Sequence, residues 1–336
     1  MRTIQTIVLF VLLAPPLYAA GSLRIYFIDT EGGQSTLFVS PSGQTLLVDT
    51  GNRDPKGRDP GRIAAVAKQA GVSRIDYLLI THYHSDHVGG VPELAKLLPI
   101  SNFIDHGPEV EKGEKAEALV VDYRQVRDKG KHTVAKPGDH IPIADIDVQV
   151  LTSAGQEIAS PLPGAGAVNP LCATTPPRLA DPSENAQSIG TLITFGRFRI
   201  IDLGDLTWNK ELGLACPRNK IGTVDVYLST HHGLDASNCP AIVHALGPRV
   251  AIVNNGETKG GAAEALRTIR SSPGIEDVWQ LHYSKNASKE ENTSPQFIVN
   301  VDKDLPTSWL EVEAHADGAF TVTNSRTGSS KTYAAR

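Results

Sequence analysis

Within Thr81-His82-Tyr83-His84-Ser85-Asp86-His87-Val88-Gly89-Gly90, three imidazoles and a carboxylate follow directly on the apolar run Tyr77-Leu78-Leu79-Ile80. A packed core does not tolerate four such polar groups together unless each is hydrogen-bonded or bound, and imidazole with carboxylate is the donor set of zinc. The spacing therefore points to a metal site. A loop leaving a strand can turn His82 and His84 toward one ion while Asp86 and His87 address a second. Asp205, in Asp202-Leu203-Gly204-Asp205, ends another apolar run in a glycine-containing turn and suits a carboxylate shared by both ions. His231 of His231-His232-Gly233 is read as a further ligand and His232 as a proton donor, with the exchange of these two roles left open.

The chemistry implied is hydrolysis by a metal-bound hydroxide that attacks a carbonyl or phosphorus centre, with Asp86 orienting the nucleophile as well as ligating. Two zinc ions are expected. Manganese and iron take the same nitrogen and oxygen ligands, so the donor set does not choose among them. Asp49, before Thr50-Gly51, suits an acceptor behind a ligand imidazole or a turn cap, and His106 of Asp105-His106 a contact at the pocket mouth or a surface position. Asn254, Asn255, Lys259, His282 and Tyr283 are weaker candidates, Lys259 as a cation for an anionic substrate. His132, His140, His244 and His315 lie in no convergent motif.

Positioning these side chains requires strands that end where the polar motifs begin. Strands are expected at 23–28, 35–39 and 44–48, then a helix at 63–70, a strand at 76–80 and a helix at 92–98 opened by Pro92. The metal motif thus falls in a strand-to-helix loop. A second series follows: a strand at 146–151, a hairpin of 189–195 with 198–201, a strand at 224–228 before the paired histidines, and strands at 249–253 and 278–281 with helices between. Two such series, each followed by helices, predict two sheets face to face with helices outside. Residues 156–183, rich in Pro, Gly, Ala and Ser without a period, read as an insert bordering the site or a plain surface excursion.

At 336 residues, with 40% hydrophobic and 21% charged residues, the chain suits one enlarged soluble domain. The formal net charge of -5 gives no general pull toward nucleic acid, and no dedicated nucleic-acid-binding module or phosphate-loop signature is present. Arg2, the apolar stretch Ile7 to Leu13 and Leu17-Tyr18-Ala19-Ala20-Gly21 resemble a cleavable export leader over residues 1–20. A periplasmic or secreted protein with no transmembrane segment in its mature chain is expected. Cys172, Cys216 and Cys239 are too few for a disulfide scaffold; export would allow one bridge, with Cys216 and Cys239 the preferred pair and the pairing left open. Nothing in the sequence specifies an oligomeric state.

The order Asp49-Thr50-Gly51, His82 to His87, Gly204-Asp205 and His231 resembles the metallo-β-lactamase superfamily. That resemblance implies an α/β fold, a four-layer αββα sandwich with a dinuclear hydrolytic site at one sheet edge, spanning 22–304 with the insert at 156–183 and a peripheral extension at 305–336. Ile25 to Asp29, Glu31-Gly32-Gly33-Gln34, Ser42-Gly43 and His231-His232-Gly233 are similar to the branch related to the soluble domain of the competence DNA-uptake protein. Two departures stand out. Gly33-Gln34-Ser35 lacks that branch's usual acidic residue, and Asn185 stands where superfamily members commonly place a histidine ligand, so Asn185 would bind metal weakly, hold substrate or cap a turn. The resemblance implies a phosphodiester substrate, with lactones, thioesters or other small carbonyl esters as the alternative, or a catalytically weak metal-containing binding module.

Overall fold

The computed structural model describes residues 21–54, 56–302 and 308–336, so the expected leader lies outside the described residues. Its strands are β1 (Leu23–Ile28), β2 (Thr36–Val39), β3 (Thr45–Val48), β4 (Ile75–Leu79), β5 (Ile100–Asp105), β6 (Lys131–Val134), β7 (His140–Ile141), β8 (Asp147–Ser153) and β9 (Gln156–Glu157). There follow β10 (Gly190–Phe195), β11 (Phe198–Asp202), β12 (Val226–Leu228), β13 (Val250–Val253), β14 (Asp277–His282), β15 (Ile298–Asn300), β16 (Trp309–Ala314), β17 (Phe320–Asn324) and β18 (Ser330–Tyr333). One sheet runs β18-β17-β16-β1-β2-β3-β4-β5-β6, and the other runs β15-β14-β13-β12-β11-β10-β8-β7 with β9 paired to β8.

The period of two along each strand builds the layers. Leu23, Ile25 and Phe27 of β1 and Val226 and Leu228 of β12 meet between the sheets, where Phe38, Ile193, Phe198, Ile252 and Trp279 join them. Tyr26, Ile28, Leu78 and Ile80 face the opposite way, onto α1 (Arg58–Gln69), α3 (Val91–Leu97) and α4 (Glu114–Arg127). Leu192, Ile201, Tyr227, Ala251 and Val253 likewise face α5 (Trp208–Ala215), α6 (Pro240–Leu246) and α7 (Ala263–Arg270). The result is an αββα sandwich, as the sequence predicts. No helix among the described residues is long and apolar enough to cross a membrane.

Two expectations need correction. The segment after 305 is not peripheral: β16 pairs with β1 throughout its length, and Leu310, Val312, Ala314, Phe320 and Val322 are buried between the sheets. The alternation of this segment is hard to read in sequence because one inward position is a small Ala314 and the outward ones include Trp309. The disulfide joins Cys172 to Cys216, not Cys216 to Cys239. The Pro170–Ala173 turn of the insert lies against the end of α5, where Asn169 Nδ2 donates to Ala215 O at 3.1 Å, and this brings two cysteines 44 residues apart into bonding reach. Cys239 is buried and free.

The parallel strands β3 to β6 and β11 to β15 set the chemistry-bearing loops at their carboxyl ends, where open α/β sheets hold ligands. Register decides which loops meet. Val48 lies beside Leu79, so Asp49 and Thr81 leave the sheet together; Ile201 lies beside Tyr227, and His231 N then donates to Gly204 O at 2.9 Å.

Candidate metal centre

Leaving β4, the chain passes through buried Thr81 and His82 and then forms the single turn α2 (Ser85–Val88), which carries Asp86 and His87. The turn is packed closely: a Cβ on Gly90 would lie 2.2 Å from Thr50 O, so only glycine fits there. Thr50 N donates to His87 O at 2.8 Å across the same contact.

Every imidazole of the motif has its outer nitrogen held. His87 Nδ1 donates to Asp49 Oδ2 at 2.7 Å. Thr81 Oγ1 donates to the same carboxylate oxygen at 2.7 Å and lies 3.1 Å from His82 Nδ1. With its hydrogen on Asp49, Thr81 is an acceptor for His82. His84 Nε2 donates to Glu111 Oε1 at 3.0 Å. His82 Nε2 and His84 Nδ1 then face each other as lone pairs at 3.0 Å, and His87 Nε2 lies 3.2 Å from His232 Nε2. Facing lone pairs at that distance do not bond to each other; a shared cation between them resolves the contact.

The carboxylates complete the arrangement. Asp86 Oδ2 is 3.2 Å from His87 Nε2 and 3.2 Å from His232 Nε2. Asp205 lies between the groups: Oδ1 is 3.3 Å from His232 Nε2, and Oδ2 is 3.3 Å from His87 Nε2, 3.9 Å from His82 Nε2 and 3.4 Å from His231 Nε2. Asp205 Oδ1 is buried and lacks a hydrogen-bond partner. Two overlapping donor sets result, His82 with His84 and Asp205, and Asp86 with His87, Asp205 and His232. Buried nitrogen and oxygen donors with an orphaned bridging oxygen fit a metal centre.

Electrostatics agree with that fit. Burial, reinforced by neighbouring His87, holds His82 well below the usual imidazole range, so it is neutral and able to ligate. At His87 burial opposes charging, but Asp205, Asp86 and Asp49 outweigh it and raise its pKa well above normal. Ion binding at His87 Nε2 therefore expels a proton. Burial works against ionisation of Asp205 too, yet His232, His87 and His231 keep it well below the ordinary carboxylate range.

Of the adjacent histidines, the structure brings His232 into the second donor set. His231 stands outside both sets, with its Nδ1 3.3 Å from Ser237 Oγ and its side chain still 12% exposed. Both residues have φ of 55°, a left-handed conformation uncommon for non-glycine residues. A buried network holds it: Tyr227 Oη donates to Asn238 Oδ1 at 2.8 Å, Asn238 Nδ2 donates to Thr230 O at 2.9 Å, and Glu211 accepts from Asn238 N and Cys239 N at 2.9 Å each.

Other candidates fall elsewhere. His106 does not reach the donor sets; its Nε2 donates to Glu184 Oε2 at 2.9 Å, which ties the loop after β5 to the end of the insert. Asn185 is outside the sets as well, although its Oδ1 is buried without a partner. His282 donates to Asp29 Oδ1 at 2.7 Å, and Arg62 bonds Asp29 and Glu31, so this group is an ion-pair network. Asn255 binds backbone carbonyls. Sequence reasoning missed Glu111 and Glu184, whose partners are 27 and 78 residues away, and Ser237, a common residue six positions after His231 with no motif to mark it. Glu184, beside Asn185, had the nearest signal.

A model of the metallo-beta-lactamase superfamily matches residues 29–171. An atrochrysone carboxyl ACP thioesterase from Cryptosporiopsis sp. (strain 8999) is 28% identical over 114 residues, 33% of this chain and 34% of that protein. A hydroxyacylglutathione hydrolase from Aliivibrio salmonicida (strain LFI1238) is 48% identical over 56 residues, 16% of this chain and 21% of that protein. The chain thus spans about a third or less of these curated relatives. Among solved structures, the metallo-beta-lactamase fold protein YhfI from Bacillus subtilis has a TM-score of 0.46 at 13% identity, covering 77% of this chain and 96% of its own.

Proposed function

We propose that the protein is an exported metal-dependent hydrolase acting on thioesters or other small carbonyl esters. The observation that carries this reading is the convergence of His82, His84, Asp86, His87, Asp205 and His232 in one largely buried cluster in which the outer nitrogens of His82, His84 and His87 are tied to Thr81, Glu111 and Asp49. His82, His84 and Asp205 would hold one ion, and Asp86, His87, Asp205 and His232 a second. A zinc-class ion supplies Lewis acidity toward the attacked oxygen and a nucleophile from water near neutral pH.

The remaining work belongs to the side chains. Asp205 keeps the two donor sets in register, and Asp49 fixes His87 through Nδ1 while holding Thr81 beneath His82. His231, at the accessible edge with Ser237 behind it, is placed to give a proton to the leaving group. The names of the two relatives compared above, a carboxyl ACP thioesterase and a hydroxyacylglutathione hydrolase, favour carbonyl chemistry, while a ribonuclease J from Corynebacterium glutamicum, 33% identical over 90 residues, points to phosphorus chemistry. The finer likeness to the competence branch rests on the short segments at 25–34 and 231–233, and phosphodiesters are the second substrate class to test. Export is supported by the Cys172–Cys216 bridge, because disulfides persist in oxidising compartments.

Zinc- and manganese-loaded protein assayed on thioesters, lactones, aryl esters, bis-aryl phosphodiesters and single-stranded DNA tests the proposal. Turnover of a carbonyl ester is expected, with Asp205→Asn losing at least about 100-fold in kcat and the bridged ion while keeping its fold. Turnover of phosphodiesters alone would transfer the site to phosphorus chemistry, and full metal loading without turnover would make it a binding module. Mass spectrometry of the N-terminus from the native host should find a start near residues 20 to 22; an intact Met1 in the cytoplasm would overturn export.

A further inference from the structure

We infer that Lys259 is a resident cation of the Asp86, His87, Asp205 and His232 set, so that the chain holds one metal ion firmly at His82, His84 and Asp205 and a second only against the Lys259 ammonium. The inference rests on the metal-site part of the proposal above. Lys259 Nζ contacts Asp86 Oδ2, the same oxygen that His87 Nε2 and His232 Nε2 face at 3.2 Å each. An ammonium and two imidazole nitrogens thus converge on one carboxylate oxygen.

The position of Lys259 is fixed by its backbone. Gly256 N donates to Lys259 O, Gly261 N to His232 O and Ala262 N to Gly233 O, each at 2.8 Å, so the turn that carries the lysine is bonded to the histidine loop itself. Gly260 has φ of 72°, and a Cβ there would lie 2.1 Å from His232 O, an approach only glycine permits. On the other side, a Cβ on Gly32 would lie 3.0 Å from Lys259 Cβ. The lysine stem is held between two turns while its side chain, 40% exposed, enters the set from solvent.

The two donor sets are therefore electrically unlike. Beyond Asp205, the first is backed by the Glu111 carboxylate on His84, and no lysine or arginine contact to His82 or His84 occurs among the described residues. The second has the carboxylate of Asp86 and, behind His87, that of Asp49, and it carries an ammonium directly on a donor oxygen of Asp86. A divalent ion and an ammonium on one carboxylate repel each other, the more strongly where water is sparse. Replacement of a histidine by Asn185 argues from sequence for weakness in the first set; the structure places the opposing charge on the second.

Titration of metal-free protein with zinc against a chromophoric chelator, and with cobalt(II) followed by visible absorption, reads the two affinities directly. Wild type should bind in two separate steps, the first at His82 and His84 and at least about tenfold tighter than the second, and Lys259→Met should tighten the second step by about tenfold or more. Lys259→Arg should keep the wild-type separation. Lys285→Met, which removes an ammonium paired with Glu257 on the neighbouring turn, should change neither step. Two equal steps in wild type, or an unchanged separation in a folded Lys259→Met, would overturn the inference while leaving ester hydrolysis intact as a reading. Two separated steps with no hydrolysis of any ester would instead remove the proposed function and leave the role of Lys259 standing. A protein that binds neither ion would remove both.

Discussion

At the scale of the residue, the contacts behind the imidazoles decide how firmly the cluster holds an ion: His87 rests on Asp49, His82 on Thr81 and His84 on Glu111. His82, His84, Asp86 and His87 declare themselves by spacing, because a strand end concentrates them within six positions. Glu111 does not, since its contacts are with a histidine 27 residues earlier and with Glu184 N, 73 residues later. Its removal is a sharp test of how much the outer contact matters. Glu111→Ala should weaken the ion at His84 by about 10–100-fold, read by chelator competition, with little change in thermal stability because the carboxyl is partly solvent-exposed. Equal affinity in the variant would mean that His84 is held by the loop alone. His231 and His232 show the limit of sequence reading most clearly: adjacent and chemically identical, they are separated only by the left-handed backbone that sends one into the cluster and one to its edge.

At the scale of the element, strand positions were readable because the apolar period of two is strong, and the two faces of β1, β11, β12 and β13 divide cleanly between neighbouring layers. The pairing order was not, since β16 reaches back across nearly the whole chain to β1. The loop that carries the paired histidines depends on α5 beneath it. Burial pushes the Glu211 carboxyl up to about 7, partly offset by the backbone donors at Cys239 and Asn238. A carboxyl raised by folding contributes most below its ordinary pKa of 4.5, and that contribution is lost as pH rises through about 7. The Tm should accordingly show a Glu211-dependent fall across that window, and Glu211→Gln, which cannot ionise, should flatten it. A variant whose Tm follows the wild-type profile between pH 5 and pH 7 in parallel would remove Glu211 as the source.

At the scale of the whole molecule, the sandwich closes only with its last strands, since β16 and β17 place Leu310, Val312, Phe320 and Val322 between the sheets beside residues of β1 and β11. Phe320 packs edge-on to Phe198 and flat on Tyr333, at 5.5 and 4.7 Å between ring centres. Phe320→Ala should cost about 3–5 kcal/mol in denaturant unfolding, the range for deleting a buried aromatic ring. A cost near zero would return this segment to the margin of the fold. The insert has a different relation to the whole. Arg178 stacks on Trp208 and neighbouring Leu179 is 97% exposed, whereas Cys172 before them is bonded to Cys216 after them. A peptide bond cut between those cysteines, for instance by brief trypsin treatment at Arg178, would leave two chains that still travel as one body. They should run together on a denaturing gel without reductant and separate only with it, and the nicked protein should keep its metal, because Asp205, the one donor between the two cysteines, stays on a chain tied to the other by the bridge.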